Sequence, residues 1–206
     1  MRSTRRWMMG IAASGILTAA AWANPAPKIG RPAPDFTVMD SQGRTQRLSD
    51  YKGKYVVLEW FNDKCPFIRK HYDSGNMQRL QERYTGKGVV WFSVLSSAPG
   101  TQGYADAAQA NEIAKADHSH ATALLLDPDG KVGLSYGAKN TPAMYVIAPD
   151  GTLIYEGAID DKPTTDVEDI PGAHNYVAAA LDSAMAGKPV VVSRTKAYGC
   201  SVKYKG

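Results

Sequence analysis

Two cysteines, Cys65 and Cys200, are the residues of this sequence best suited to chemistry. A thiol reacts through its thiolate, so its surroundings decide its use. Cys65 follows the β-rich apolar run Tyr55–Phe61 and the breaker Asn62-Asp63-Lys64, and it stands directly before Pro66. That order predicts a strand, a short turn and then a helix whose first turn tolerates the proline. A thiol at a helix N-terminus faces free N–H groups and the positive end of the helix dipole. Lys64, Arg69 and Lys70 add positive charge nearby in the sequence. All of these favour the thiolate. The plainer alternative is a buried, inert cysteine. Position favours the reactive reading, because sites in α/β sheets form beyond the carboxyl ends of central strands.

Cys200 lies six residues from the C-terminus, within Tyr198-Gly199-Cys200-Ser201. It has three possible uses. It resolves an oxidised Cys65 by closing a disulfide, or it is a static disulfide partner, or it is an unpaired tail thiol. The run Pro189–Thr195 reads as a strand, and the tail between Gly199 and Gly206 is expected to be mobile enough to approach Cys65.

Other residues carry weaker signals. Thr141-Pro142 precedes the strand Ala143–Ala148, and its proline is either ordinary punctuation or a cis peptide. His118 and His120 have metal-pair spacing but sit in a polar loop, which reads better as solvated. Cys65 with His71 invites a copper reading, but a second cysteine ligand is missing. Asp160, Asp161, Asp166, Glu168 and Asp169 lack calcium-loop spacing and read as a solvated acidic face. Glu59 sits inside an apolar strand, either as a proton relay for Cys65 or at a sheet edge. Trp60, Trp91, Tyr145 and Tyr155 read as core. No metal and no cofactor are expected.

The elements that must position these residues follow from pattern. Residues 24–34 hold four prolines and read as an extended lead-in. Asp35–Met39 and Arg44–Leu48 around Ser41-Gln42-Gly43 predict a hairpin. Tyr55–Phe61 and Val89–Leu95 are apolar on both faces and read as central parallel strands. Between them, Ile68, Tyr72, Met77, Leu80 and Tyr84 mark a helix with a possible kink at Ser74-Gly75. Gln109–Ala116 predicts a helix, Ala123–Leu126 a strand closed by Asp127-Pro128-Asp129-Gly130, and Tyr176–Met185 the last helix. Ala143–Ala148 and Leu153–Gly157 flank Pro149-Asp150-Gly151 as a second hairpin. The order predicts an α/β fold with a mixed central sheet, helices on both faces and an N-terminal β-hairpin extension.

The first 23 residues stand apart. Arg2, Arg5 and Arg6 precede a short apolar stretch, Gly10–Trp22, that ends in Ala21-Trp22-Ala23. This is the pattern of a secretory signal cleaved after Ala23. The alternative is a retained anchor, for which the apolar stretch is short. Arg5-Arg6 loosely fits a twin-arginine signal. Removal of residues 1–23 lowers the formal net charge from +4 to +1. No basic cluster remains that asks for nucleic acid. The expectation is one exported, periplasmic domain over residues 24–206 with no lasting membrane anchor. Two cysteines are too few for a disulfide scaffold.

Several spaced motifs carry a family resemblance. Val56–Pro66 resembles the active-site entry of the thioredoxin superfamily. Tyr136-Gly137, Thr141-Pro142, Ile147 and Asp150-Gly151 resemble its cis-proline loop and hairpin. Ile29–Phe36 resembles the start of the redoxin branch, which holds alkyl hydroperoxide reductases and thiol-specific antioxidants. Gly199-Cys200-Ser201 resembles the tail of peroxiredoxin-like proteins with a Cys-Pro-Phe site. The resemblance implies a thioredoxin-like fold over about residues 28–206. It implies a Cys65 thiolate acting on a peroxide or a protein disulfide, substrate aligned beside Thr141 and Pro142, and turnover completed by Cys200, an external thiol or a thioredoxin-like reductant. Three positions depart from the family pattern. Ile68 fills the place of a second active-site cysteine, which excludes a Cys-x-x-Cys mechanism there. Asn62 and Leu58 replace the threonine and proline of true peroxiredoxins, leaving the Asn62 amide as the available donor. The rival expectation is a catalytically silent binding or scaffold protein with a structural Cys65–Cys200 disulfide.

Overall fold

The computed structural model of this chain describes residues 27–206. The expected signal segment and the cleavage point before Asn24 lie outside the described residues. Among those residues no helix is long and apolar enough to cross a membrane.

A seven-stranded mixed sheet forms the centre, in the order β2-β1-β5-β4-β3-β7-β8. Its strands are β1 (Thr37–Asp40), β2 (Thr45–Arg47), β3 (Val56–Trp60), β4 (Val90–Leu95), β5 (Ala123–Leu126), β7 (Ala143–Ile147) and β8 (Leu153–Gly157). β3, β4 and β5 run parallel, as their unbroken apolar sequences require. β7 pairs antiparallel with β3, placing Trp60 opposite Ala143. The remaining two strands, β6 (Asn140–Thr141) and β9 (Cys200–Ser201), form a separate small ladder.

The central strands are buried on both faces, and their side chains alternate between two cores. Val57, Trp91, Met144 and Val146 face one core, with helices α1 (Pro66–Asp73), α2 (Asn76–Thr85), α3 (Ala107–Ala116) and α5 (Tyr176–Met185). Leu58, Trp60, Phe92 and Tyr145 face the other, covered by α4 (Lys131–Tyr136) and the 3₁₀ turn Leu48–Tyr51. Helices therefore lie on both faces, as the sequence order predicts. Trp60, Trp91, Tyr145 and Tyr155 are all core residues.

Three local expectations need correction, and one helix was not expected. Ser74-Gly75 ends one helix and caps the next, because Gly75 adopts the left-handed φ of 71°. Residues 131–136 form α4, a helix too short to show a periodic stripe. The second hairpin strand ends at Arg47, and a 3₁₀ turn follows it. Pro189–Thr195 is not a strand. It touches the edge of β8 through one parallel bridge, Glu156 with Arg194, and Val191 is fully exposed.

The C-terminal segment is docked rather than mobile. The Thr195 N–H donates to the Glu156 carbonyl at 3.0 Å, and the Ala98 N–H donates to the Lys203 carbonyl at 2.7 Å. Val202 is buried in the second core, and the Tyr204 hydroxyl donates to the Ala138 carbonyl at 2.6 Å. Between these anchors, β9 pairs antiparallel with β6, and Cys200 lies opposite Thr141.

Candidate active site

Cys65 is the N-cap of α1, with extended backbone and Pro66 directly after it. Its carbonyl accepts the Arg69 N–H at 2.9 Å, the first bond of the helix. Its own N–H donates to the Asn62 carbonyl at 3.0 Å, closing the turn after β3. The sulfur thus sits where a parallel strand ends and a helix begins.

Cys65 is completely buried. The cover is the docked tail together with the β6 loop, where Thr141 precedes a cis Pro142. The Cys65 thiol donates to the Thr141 carbonyl at 3.0 Å. Since Thr141 is the register partner of Cys200, this bond brings the two cysteines to the same pair of backbone segments. Both cysteines are free thiols.

The two thiols have opposite acidities. Burial pushes Cys65 up, but hydrogen bonds from the Cys200 thiol, the Thr141 hydroxyl and the Cys200 and Ile68 backbone outweigh it, and its pKa falls below the usual thiol value. The bond to the Thr141 carbonyl favours the protonated form and opposes that fall, yet the converging donors outnumber it. Cys200 is pushed up by burial and by its bond to Cys65. Cys65 is therefore the thiol that ionises first, and Cys200 keeps its proton.

The expected positive side chains do not supply this effect. Arg69 binds Asp117 at 2.8 Å and Asp73 at 2.7 Å, and Lys64 binds Asp63 at 2.8 Å. Lys70 donates to the Lys162 carbonyl at 2.7 Å. Each charge is already partnered, so the local hydrogen bonds carry the acidity of Cys65.

Asn62 is buried beside the Cys65 turn, and its Oδ1 accepts the Lys64 N–H at 2.9 Å. Its Nδ2 has no hydrogen-bond partner. The amide donor considered for this position therefore exists and is uncommitted. A side chain on Gly103 would collide with it at 2.8 Å.

Glu59 is not at a sheet edge. It is fully buried on central strand β3, where Tyr72, Gln81, Trp91 and Ser93 all donate to its carboxylate. Desolvation raises its pKa to about 7 despite these donors. The acidic loop also needs correction, because Asp160 is buried and accepts the Tyr198 hydroxyl at 2.5 Å. His71 belongs to the same buried cluster, with its Nε2 at 3.3 Å from the Tyr198 hydroxyl. His118 and His120 are exposed. Among the described residues no group of three or more metal-binding side chains gathers.

Residues 29–156 match the family model described as the AhpC/TSA family. The chain belongs to the AhpC/TSA family. This is the redoxin branch of the thioredoxin superfamily, in agreement with the strand-to-helix site and the cis-proline loop. The thiol-disulfide oxidoreductase ResA of Bacillus thuringiensis subsp. konkukian is 30% identical over 129 residues, covering 63% of this chain and 69% of the relative. An uncharacterised conserved protein from Geobacillus kaustophilus superposes with a TM-score of 0.72 at 26% identity, covering 86% of this chain and 93% of that one. The hypothetical protein SMc02350 of Sinorhizobium meliloti superposes at 0.73 with 21% identity over 88% and 97% of the two chains. Cys200 and its tail lie beyond the residues that the AhpC/TSA model matches.

The Lys70, His71, Asp160 and Tyr198 cluster was not legible beforehand. Its members are spread over three elements, and the sequence brings only Lys70 and His71 together. The one available hint is that both fall in the predicted helix after Cys65.

Proposed function

We propose that the protein is an exported thiol oxidoreductase in which Cys65 and Cys200 form a reversible dithiol–disulfide pair. The observation that carries this reading is the single relay of contacts from the Cys65 thiol to the Thr141 carbonyl to the Cys200 register partner. A cysteine three residues after Cys65 is absent, and the tail brings the second thiol instead.

The chemistry follows from the acidities. With the tail lifted from β6, as the burial of Cys65 requires, the Cys65 thiolate attacks one sulfur of a protein disulfide, forms a mixed disulfide and releases one substrate thiolate. Cys200 then passes its proton to a departing thiolate and attacks the Cys65 sulfur. The Cys65–Cys200 bond closes and the second substrate thiol leaves. Two protein thiols are oxidised and one substrate disulfide is reduced. An external thiol or thioredoxin-like dithiol reduces the pair again. The resemblance to ResA over two thirds of its length supports a disulfide substrate.

A second reading rests on Asn62. Its unpartnered Nδ2 beside the Cys65 turn can donate to a peroxide oxygen. Attack on the O–O bond leaves Cys65 as a sulfenic acid and releases water or an alcohol, and Cys200 then expels a second water as the disulfide closes. Asn62, Thr141 and Pro142 position substrate in both readings. In both, residues 1–23 are a removed signal and residues 24–206 form one exported domain with no lasting anchor.

Peptide mapping by mass spectrometry after one equivalent of oxidant tests the pair. The expected product is an intramolecular Cys65–Cys200 linkage that mild reductant reverses. Cys65 sulfinic acid with Cys200 still free would refute it. A linkage that resists mild reductant would favour the silent scaffold.

A further inference from the structure

The tail that carries Cys200 is fixed by buried groups that this chemistry does not use. α1 follows its N-cap Cys65 and carries Lys70 and His71, both buried. The tail carries Tyr198, separated from Cys200 only by Gly199. The loop after β8 carries Asp160, also buried. These three elements meet at one carboxylate.

The donors and acceptors fit in only one direction. The Asn76 side-chain amide donates to His71 Nδ1 at 2.9 Å, which leaves the proton on Nε2. Nε2–H points to the Tyr198 oxygen at 3.3 Å, and the Tyr198 O–H donates to Asp160 Oδ1 at 2.5 Å. The Lys162 N–H donates to the same Oδ1 at 3.0 Å. Lys70 lies 4.0 Å from Asp160 Oδ2 as its counter-cation. The Tyr198 ring packs on Phe67, two residues after Cys65, with centroids 5.7 Å apart. Tyr198 is thus held by its hydroxyl and its ring to the helix that bears the partner thiol.

We propose that Tyr198 is a positioning residue, which Asp160 and His71 orient so that Cys200 is presented to Cys65. This rests on the paired-thiol reading above. Without the hydroxyl, Asp160 loses a charge-assisted bond and the His71 Nε2–H loses its nearest acceptor, with only Asp160 Oδ2 left at 3.8 Å, while the ring can still pack on Phe67. The tail then samples positions away from β6, and the effective concentration of Cys200 at Cys65 falls.

The test compares the full chain with its Tyr198→Phe variant. Each is equilibrated with mixtures of reduced and oxidised glutathione, and the fraction of Cys65–Cys200 disulfide is read by alkylation and mass spectrometry. The expected result is a fall in effective concentration of roughly ten- to a hundredfold, the loss of one hydrogen bond to a charged acceptor. Cys65 should also alkylate faster, since its cover is loosened. Tyr84→Phe is the control. It removes a buried tyrosine's hydroxyl that is bonded to Ala178 and Asp182 on α5 rather than to Asp160, and should leave the effective concentration unchanged. An unchanged value in Tyr198→Phe, or an equal fall in Tyr84→Phe, overturns the inference and leaves the paired thiols standing. Failure of the unmodified protein to form the disulfide overturns the reading on which it rests.

Discussion

A side chain on Gly199 would begin 2.0 Å from the Thr141 carbonyl oxygen. That oxygen is the one that accepts the Cys65 thiol. The backbone of the tail can therefore reach the β6 loop only if residue 199 has no Cβ. Gly199 also adopts a φ of 116°, a conformation that side chains rarely take. One glycine satisfies both demands, next to the second thiol.

Gly199→Ala should accordingly lift the tail from β6. The backbone conformation alone costs roughly 1–3 kcal/mol, the overlap with the Thr141 carbonyl adds to it, and undocking relieves both without unfolding the sheet. The expected outcome is a modestly lowered melting temperature, as the tail loses its docking contacts, with Cys65 newly open to alkylation and the Cys65–Cys200 disulfide slow to close. A thiol as protected as in the unmodified protein would contradict this account of the cover.

The acidity of Cys65 should depend on Cys200. Alkylation rate against pH should show Cys65 titrating below the free-thiol value of about 8.5. Cys200→Ala removes the first donor to the Cys65 sulfur and should move that titration upward. Cys65→Ser should abolish thiol chemistry while keeping the fold, because serine can still donate to the Thr141 carbonyl. If Cys200→Ala leaves the profile in place, the Cys200 thiol is not what sets the acidity, and the Thr141 hydroxyl and the backbone donors carry it.

Much of this site was legible because it is built from local signals. The run Val56–Trp60, the break at Asn62 and Pro66 after Cys65 are strand, turn and helix-start chemistry, and they placed Cys65 at the N-cap. Thr141-Pro142 was legible as the entry to a strand, but its cis peptide was not, since a cis bond leaves no local sequence signal. Neither the depth of the site nor the fate of the tail was. Burial of Cys65 depends on a segment more than a hundred residues away in sequence, held by pairs such as Ala98 with Lys203 and Tyr204 with Ala138. Gly199 and Gly206 suggested a loose tail, yet Gly199 is there to let it dock. Lys64, Arg69 and Lys70 looked like a positive field until their partners Asp63, Asp117 and Lys162 were in place.

The exported form should begin at or near Asn24. The basis is the arginine-led apolar segment ending in Ala21-Trp22-Ala23. N-terminal sequencing of protein recovered from outside the cytoplasm decides it. A soluble cytoplasmic product that starts at Met1 would sink both the export reading and the domain boundary at residue 24.

Glu59 and His71 should give opposite dependences of stability on pH. Burial raises Glu59 from 4.5 to about 7, so between these values the folded state holds a proton that the unfolded chain has released. Its contribution is present below pH 4.5 and is lost as pH rises through 7. Burial, helped by Lys70, lowers His71 from 6.5 to about 4 against the pull of Asp160. Here the unfolded chain takes the proton first, so stability is present above pH 6.5 and lost as pH falls through 4. Each amounts to roughly 3 kcal/mol at full extent, and over the shared range from 4.5 to 6.5 the two nearly cancel. Glu59→Gln should expose the His71 dependence. Glutamine keeps the shape, and its amide can face the Tyr72 hydroxyl while its oxygen accepts from Trp91 and Ser93. The variant should gain stability relative to the parent at pH 7.5 and should lose it steadily on acidification to pH 4.5. Urea unfolding at a series of pH values reads both slopes. A parent that falls steeply over this range while Glu59→Gln stays flat would reverse the assignment of the two buried groups.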